Sequence, residues 1–372
     1  MSTSNRYADL AELELHPASS TVSAEERARL CKAAGFGRVF TDNMVVIPYD
    51  ANDGWGKGRL EPFGPLSLHP ASAVLHYAQA IFEGFKAYAQ PDGSVATFRP
   101  EANAARFQLS AERLAMPVMP VERFVAAADA LVLQDHAWAK GEGDHSLYVR
   151  PHMFATDPFL GVRPSQEYLF QVIAFPATSY FSTGDAPVSV WISTDYTRAV
   201  PGGTGAAKCA GNYAASLVAQ KQAQERGCQQ VVWLDAKERR YVEEMGGMNI
   251  FFVLRDGDRV TLATPELSGT ILPGITRDSL MTLARDMGHS VEERTFSVEE
   301  WKQAAEAGHM SEVFACGTAA IVTSIGRVES ATGGWNIGDG TSGPIAQQLR
   351  KALLDIQYGR APDRYGWMHP VT

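Results

Sequence analysis

The sequence predicts a protein of two α+β domains, and three observations support this prediction. The chain has 372 residues, more than one ordinary hydrophobic core accommodates. Predicted strands come in runs and hairpins between helices, whereas a doubly wound parallel sheet would alternate strands and helices regularly. No G-x-G-x-x-G motif follows a predicted strand, which weakens a dinucleotide-binding interpretation. We place a small N-terminal domain at residues 1–176, a linker at 177–187 and a large C-terminal domain at 188–372.

The first half of the chain predicts a hairpin, two helices and a buried strand. Residues 86–98 (KAYAQPDGSVATF) indicate the hairpin, because Pro-Asp-Gly between two apolar runs is typical of a turn. Residues 99–116 and 121–139 carry helical patterns, and residues 168–175 (YLFQVIAF) indicate a buried strand. The stretch that follows, PATSYFSTGDAP, is rich in loop-forming residues and predicts the interdomain linker.

The second half of the chain predicts more β-structure. The expected strands cover residues 188–193, 230–234 and 240–244, and a hairpin over residues 249–264 turns at Asp256-Gly257. The expected helices cover residues 277–287, 298–307 and 344–357.

Charge and composition narrow the class of protein. A formal charge of -9 argues against a nucleic-acid partner, since a phosphate-binding surface would be basic. The chain begins without an apolar signal region and nowhere runs 18 uncharged apolar residues together, so we expect a cytoplasmic protein with no membrane partner. Four cysteines lie far apart, which argues against a disulfide framework and a structural zinc site; no metal is implied.

The stretch GGTGAAKCAGNY, residues 202–213, indicates a reactive lysine. Lys208 stands among small residues, with Tyr213 five positions later. Small neighbours allow a bulky planar group to approach the backbone, and partial desolvation makes an amine a nucleophile towards aldehydes. The alternative is a surface lysine in a glycine-rich loop. The versatile aldehyde partner is pyridoxal phosphate, which requires such a lysine, an anion near its ring nitrogen and a phosphate cradle.

Two adjacent glutamates are candidates for the anion. Glu243 and Glu244 end a predicted strand before the glycine bend of VEEMGGMN. Strand alternation sends them to opposite faces, so only one can point into a site. The alternative is a pair of solvated glutamates at a strand end.

Two tight turns are candidates for the phosphate cradle. The turn LPGITRD, residues 272–278, opens a helix whose N–H groups and dipole favour an anion; the alternative is a simple cap made by Thr276 and Ser279. A second small-residue turn, Gly317-Thr318-Ala319-Ala320, follows a predicted strand. Arg106 offers a charge-assisted contact, although a lone helix arginine is usually solvated.

The remaining candidates are aromatic residues and one arginine. Tyr148 and Arg150 alternate on a predicted strand and share a face, where together they can hold a carboxylate. A solvated sheet face is the commoner outcome of such a pair. Tyr77 and Phe82 would by default be core aromatics on a helix and its exit.

Seven motifs together resemble the branched-chain amino acid aminotransferases, pyridoxal-phosphate enzymes of fold type IV. The motifs occur in family order: FEGFKAY, FRPEANAAR, LYVRP, GGTGAAKCAGNY, VEEMGGMNIFF, LSGTILPGITRDSL and FACGTAA. The resemblance covers nearly the whole chain, from about Pro62 to Gly359. It implies two α/β-type domains with the active site at the domain interface, and a homodimer.

The resemblance implies a role for each candidate residue. Lys208 would form the Schiff base with the cofactor and carry the proton, Tyr213 would hydrogen-bond the ring hydroxyl oxygen, and Glu244 would pair with the pyridinium. The other implied residues are Arg106, Ile275 and Thr276 with Thr318 nearby for the phosphate; Thr318 and Ala319 for the substrate α-carboxylate; Tyr77, Phe82, Tyr148 and Tyr180 for the side-chain pocket; Arg150 for the distal carboxylate of glutamate; and Leu160 from the partner subunit.

The implied reaction moves an amino group from leucine, isoleucine or valine to 2-oxoglutarate. D-amino acid aminotransferase and aminodeoxychorismate lyase share the lysine and the glutamate, so they are alternatives within the fold. A cofactor-independent Schiff-base aldolase and a binding module that merely retains the cofactor are alternatives of other classes. Relatives with a redox CxxC carry it after the small-residue turn, where this chain has Ala320-Ile321-Val322-Thr323, and we therefore expect no thiol switch there. That Cys209 and Cys316 are sensitive to alkylation is a hypothesis from their place beside the motifs.

Overall fold

The computed structural model describes residues 3–33, 35–141, 143–178, 186–257 and 259–372. Contacts divide the chain into two compact units, the first made of Met1–Tyr180, Ala207–Gly211 and Ile356–Thr372, the second of Phe181–Ala206 and Asn212–Asp355. No helix in the described ranges is long and apolar enough to cross a membrane. Within the same ranges, no three His, Cys, Asp or Glu side chains come together as a metal site requires.

The contact grouping departs from the predicted domain boundaries in two places. Residues 207–211 and 356–372 group with the first unit, although we placed both in the C-terminal domain. The reason for the second departure is a strand at Met368–Pro370, which pairs antiparallel with Val95–Phe98. Of the predicted linker, residues 179–185 lie outside the described residues.

The first unit contains a mostly antiparallel sheet with helices beside it. Its helices are α1 Thr3–Ala11, α2 Ala24–Ala33, α3 Ala73–Tyr77, α4 Pro100–Arg113 and α5 Val121–Gln134, followed by a 3-10 turn at His136–Ala139. Its strands are β1 Leu13–Leu15, β2 Asn43–Asp50, β3 Gly54–Trp55, β4 Gly58–Pro62, β5 Ala80–Phe82, β6 Phe85–Ala89, β7 Val95–Phe98, β8 Ser146–Ala155, β9 Glu167–Ala177 and β19 Met368–Pro370. The strand order is β1-β4-β2-β9-β8-β6-β7-β19, with β3 paired to β2 and β5 to β8.

Aromatic packing between helix and sheet forms the core of the first unit. The rings of Phe107 on α4, Phe124 on α5 and Phe170 on β9 lie within 5.2 to 5.8 Å of one another and are fully buried. Burying one such ring contributes about 1.5–3 kcal/mol. The predicted hairpin is confirmed as β6 and β7. The predicted helix at 121–139 is too long, because α5 ends before Asp135, whose carboxylate accepts hydrogen bonds from the backbone and side chain of Asn43 on β2.

The second unit contains a mixed sheet. Its strands are β10 Val188–Ile192, β11 Gln230–Leu234, β12 Val242–Met245, β13 Asn249–Asp256, β14 Arg259–Thr264, β15 Ser290–Glu293, β16 Met310–Gly317, β17 Ile321–Ser330 and β18 Gly333–Asn336. The remaining helices of the chain are α6 Ala210–Ala214, α7 Leu217–Glu225, α8 Ile275–Asp286, α9 Val298–Glu306 and α10 Pro344–Gln357. The strand order is β12-β11-β10-β17-β16-β13-β14-β15, with β18 paired to β17.

Stacked aromatic rings also mark the core of the second unit. Phe252 on β13 stacks on Phe296 at 4.2 Å and meets the edge of Trp301 on α9 at 5.2 Å. Helix α9 begins at a Ser297 cap, whose hydroxyl accepts the Glu300 amide at 3.0 Å. Both parallel and antiparallel pairs occur in this sheet, in agreement with the predicted α+β class.

Candidate active site

Hydrogen bonds within the first unit position the backbone of Lys208. The amide of Phe82 donates to the Lys208 carbonyl at 3.0 Å, and the Lys208 amide donates to Ser110 Oγ at 2.9 Å. These bonds tie the lysine to β5 and to α4. Its Nζ lies 4.9 Å from the centre of the Phe82 ring, and the side chain is half-buried. An amine held against an aromatic face in this way is partly shielded from water, as the sequence predicted.

Arg106 forms a buried, two-pronged ion pair with Glu83. Its Nε donates to Glu83 Oε1 at 2.7 Å and its Nη2 to Oε2 at 2.9 Å. The side chains are 8% and 0% exposed, so the interpretation of Arg106 as a solvated helix residue is wrong. A bidentate pair holds the guanidinium in one orientation. Sequence reasoning missed Glu83, whose one signal was a carboxylate inside the apolar stretch AIFEGF.

Tyr148 and Arg150 share one face of β8, as predicted. Tyr148 is buried and stacks on Phe175 at 4.8 Å, while the Arg150 guanidinium carbon lies 5.4 Å from the Tyr148 ring and 4.7 Å from the Phe82 ring. A Cβ on Gly84 would fall 1.9 Å from the Tyr148 hydroxyl, so only glycine fits there. Arg150 Nε is buried with no hydrogen-bond partner among the described residues, and this donor is suited to a carboxylate.

Tyr77 and Leu160 lie together on the exposed surface of the first unit. The Tyr77 side chain is 44% exposed and its hydroxyl donates to the Leu160 carbonyl, so the interpretation of Tyr77 as a core aromatic is wrong. Leu160 is itself 58% exposed. Its contribution to a partner subunit stays a prediction. Tyr180, predicted for the same pocket, lies outside the described residues.

Glu244 is the better-anchored carboxylate of the second unit. It is 2% exposed, and its Oε1 accepts the Leu272 amide at 2.8 Å and Asn249 Nδ2 at 3.4 Å. Its Oε2 lies 2.7 Å from Arg198 Nε in an ion pair, although that N–H does not point at the oxygen. An opposite charge at this distance offsets part of the cost of burying the carboxylate. The solvated interpretation of this strand end is therefore wrong.

Glu243, on the opposite face of β12, has a different environment. It is 6% exposed, and its Oε1 accepts a hydrogen bond from the Thr270 hydroxyl. Its Oε2 is buried with no hydrogen-bond partner among the described residues. Burial raises the pKa of Glu243, against the smaller opposing effects of Thr270 and Arg198.

Sequence reasoning missed Arg198. The guanidinium donates from Nη2 to the carbonyl of Gly205 at 3.0 Å and to the carbonyl of Thr270. A Cβ on Gly205 would lie 2.3 Å from the Thr270 oxygen, so this close approach needs glycine. No sequence signal singled out this arginine, because a lone basic residue in the loop TDYTRAV is usually solvated.

Helix α8 begins two residues earlier than predicted and places Ile275 and Thr276 in its first turn. Gly274 is the N-cap and no side chain caps the helix, so the cap interpretation of Thr276 and Ser279 is wrong. Ser279 instead donates its hydroxyl to the Ile275 carbonyl at 2.9 Å. A Cβ on Gly274 would lie 1.9 Å from Asn249 Oδ1. The first turn of a 12-residue helix behind a glycine is suited to binding an anion.

Thr318 and Ala319 lie in the tight turn between β16 and β17. Residues 317–320 are half-buried, and Ile321 begins β17 with a φ of 61°. Tyr213 lies on α6, with its ring beside the turn after β12, since a Cβ on Gly247 would be 3.5 Å from Tyr213 Cε1. All of these residues belong to the second unit.

The two cysteines beside the motifs are both buried. Cys209 is 4% exposed and Cys316 is 1% exposed. Burial raises the pKa of the Cys316 thiol well above its usual value, which disfavours the reactive thiolate. The alkylation hypothesis finds no support at Cys316.

Comparison with known proteins gives concordant matches. The class IV amino-transferase family matches residues 80–328. A probable branched-chain-amino-acid aminotransferase of Streptomyces coelicolor is 55% identical over 97% of this chain and 99% of that protein. A branched-chain-amino-acid aminotransferase of Mycobacterium tuberculosis is 54% identical over 92% of this chain and 94% of that protein. A crystal structure of a branched-chain amino acid aminotransferase complexed with N-(5'-phosphopyridoxyl)-L-glutamate, from the organism abbreviated T.th., covers 90% of this chain and 100% of that one, with a TM-score of 0.72 and 28% identity.

Proposed function

The chain belongs to the class IV aminotransferases, within the branched-chain amino acid group, and from this premise we propose that it transfers the amino group of L-leucine, L-isoleucine or L-valine to 2-oxoglutarate in the cytoplasm. The products would be the branched 2-oxo acid and L-glutamate. The observation that carries the proposal is the near full-length similarity to branched-chain enzymes at 54–55% identity. The placement of the candidate residues supports it from the chemical side.

We propose pyridoxal phosphate as the cofactor, because the residues present fit it. Glu244 is a buried carboxylate anchored by a backbone amide and an arginine, as a partner for a protonated ring nitrogen should be. Gly274 leaves no room for a side chain before the first turn of α8, where a phosphate would meet the amides of Ile275 and Thr276. When bound, the cofactor would supply an aldehyde carbon that takes up the amino group and a ring that accepts electrons.

The chain's own residues would then position the reactants and move the proton. Lys208 would hold the cofactor covalently at rest, and its released amine would take the Cα proton as general base. Glu244 would keep a proton on the ring nitrogen, and the Tyr213 hydroxyl would hydrogen-bond the ring oxygen. Arg106 would contribute to phosphate binding with a guanidinium already oriented by Glu83.

The substrate must be held at both ends. The backbone amides of Thr318 and Ala319 would bind the α-carboxylate in the turn between β16 and β17. Tyr77, Phe82, Tyr148 and Tyr180 are proposed to form the wall of the side-chain pocket.

The Arg150 environment supports the use of two different substrates. Its guanidinium lies against the Phe82 and Tyr148 rings, so a cation and an apolar wall occur side by side in the first unit. A leucine side chain would contact the rings, whereas the distal carboxylate of glutamate would bind the guanidinium. One pocket can thus accept an apolar chain and an anionic chain in alternate half-reactions.

We also propose a homodimer in which Leu160 reaches the partner's site. Leu160 is 58% exposed and Val162 is 93% exposed, an apolar pair that water disfavours. Analytical ultracentrifugation is expected to give twice the 40.4 kDa mass of the chain. A monomer at micromolar concentration would contradict this part of the proposal.

Half-reactions test the proposed activity directly. The purified, cofactor-loaded protein is mixed with L-leucine, L-isoleucine, L-valine or D-alanine, and the change in cofactor absorbance is followed. We expect reaction with the three L-amino acids; amine transfer from D-alanine alone would instead support a D-amino acid aminotransferase. Lys208→Ala is the matched control and should abolish steady-state turnover. A colourless protein would favour an aldolase, and colour without turnover would favour a binding module.

Arg150→Ala separates the two substrate types. We expect the KM for glutamate and for 2-oxoglutarate to rise about 10-fold or more, since a charge-assisted contact is lost. The KM for leucine, which does not need the charge, should change by less than about 3-fold. Steady-state kinetics with both donors measures the difference, and equal effects would remove Arg150 from its proposed role.

A further inference from the structure

A cavity of about 170 Å³ opens on the second unit beside β12. Its inner walls are the buried residues Val242, Pro265 and Ile271, and its rim includes the exposed Lys237 and Thr295. Glu244 does not line it, because alternation along β12 sends that carboxylate to the other face. The cavity is therefore separate from the residues that the proposed reaction uses in this unit.

Glu243 lines this cavity and is the group that asks for a ligand. The residue is 94% buried by area, being 6% exposed. The Thr270 hydroxyl satisfies Oε1, whereas Oε2 has no hydrogen-bond partner among the described residues. A buried acceptor without a partner costs about 1–3 kcal/mol, so a donor that enters the cavity is favoured.

The other acidic residues on the cavity wall do not compete for such a donor equally. Asp235 is already used, since its carboxylate accepts the amides of Lys237, Glu238, Arg240 and Tyr241 at 2.6 to 3.1 Å. Glu266 lies exposed at the rim, where water solvates it. Glu243 is thus the carboxylate that meets a ligand inside the apolar part of the cavity.

Size and lining restrict the class of ligand. The cavity is smaller than the sites of about 300–1,000 Å³ that hold drug-sized molecules, so a ligand of a few carbon atoms fits. Proline, valine and isoleucine side chains suit a short aliphatic chain. A positive N–H donor suits Glu243, since a charge-assisted hydrogen bond is about twice as strong as a neutral one.

We propose that this cavity is a second binding site, for a small alkylammonium ion whose N–H bonds Glu243 Oε2 and whose aliphatic chain packs on Val242 and Ile271. The site goes beyond the proposed transamination and does not depend on it. It takes a cation by its charge and a short branched chain by its apolar walls.

Isothermal titration calorimetry of the full, cofactor-loaded protein tests the site. The probe is N,N-dimethylisobutylamine, a tertiary amine that cannot condense with an aldehyde and so cannot react at Lys208. We expect a Kd on the order of 1 mM for a ligand of this size. The neutral control is 4-methyl-2-pentanol, which has a similar skeleton without the charge and should bind at least about 10-fold more weakly.

Three variants decide between this site and adventitious binding. Glu243→Gln should weaken binding of the amine at least about 10-fold, while Glu266→Gln at the rim should change it less than about 2-fold. Thr295→Trp fills the mouth from an exposed position and should abolish binding even if Glu243→Gln fails to fold. The proposal is overturned if the amine does not bind the unmodified protein, or if it binds Glu243→Gln or Thr295→Trp as tightly. Heat of binding is independent of transaminase activity, so failure here would leave the proposed function untouched.

Discussion

Glu243 and Glu244 are neighbours on one strand, and both are buried, yet their surroundings differ. Glu244 accepts the Leu272 amide and pairs with Arg198, so both of its oxygens have a partner. Glu243 has the Thr270 hydroxyl on one oxygen and no partner for the other among the described residues. The structure thus holds one carboxylate in place as an anion and leaves its neighbour incompletely satisfied.

The difference shows that burial alone does not identify a functional carboxylate. The number and charge of its partners decide what each glutamate can do. Thr270 belongs to both environments, because its hydroxyl bonds Glu243 while its carbonyl accepts a hydrogen bond from Arg198. Substitutions on either side of β12 can therefore test how independent the two environments are.

Removing Arg198 should have the largest effect. Arg198→Met leaves Glu244 buried without its counter-charge, and we expect the free energy of unfolding to fall by about 3–5 kcal/mol. Urea unfolding measures the loss, with Arg259→Met on an exposed part of β14 as the control. The double variant Arg198→Met/Glu244→Gln should recover most of the stability. If the double variant is as unstable as Arg198→Met, the pairing is not what stabilises this region.

Exchanging each glutamate for glutamine compares the two faces in catalysis. Glu244→Gln should lower kcat about 100-fold or more, because a neutral amide cannot stabilise a protonated ring nitrogen. Glu243→Gln should leave kcat within about 2-fold, since its side chain lies on the other face of β12. Steady-state kinetics with leucine and 2-oxoglutarate measures both. Similar losses in the two variants would break the distinction between the two glutamates.

The pH dependence of stability gives the smallest expected effect. Burial raises the pKa of Glu243 above its usual 4.5, so the folded protein binds this proton more tightly than the unfolded chain does. Stability from this group is therefore present at low pH and is lost as pH rises above about 4.5. Relative to the unmodified protein, Glu243→Gln should gain about 1 kcal/mol between pH 5 and pH 8. Thermal unfolding at several pH values measures the gain, and a constant difference would refute the shift.

Local patterns predicted much of the fold because they depend on neighbouring residues. The hairpin at β6 and β7 follows from Pro-Asp-Gly, and α10 lies at residues 344–357, where the helical pattern placed it. The strands β2 and β17 were not predicted, since their partners are distant in the chain and their sequences alternate weakly. The pairing of β19 with β7 has no local signal at all.

The candidate site shows the same division. Lys208 and Glu244 could be identified because the motifs around them are distinctive small-residue turns. Glu83 and Arg198, which pair with Arg106 and Glu244, could not, since an ion pair between distant residues leaves no mark on either local sequence. Partners of known site residues are therefore what the structure adds.

The pairing of β19 with β7 has a consequence for biosynthesis. The ribosome makes β19 only after all of the second unit has emerged, so the first sheet lacks that strand during most of translation. Meanwhile β7 is an open edge to which another nascent chain can add. Co-translational folding of the first unit is thus necessarily incomplete, and shielding by a chaperone would matter most in that interval.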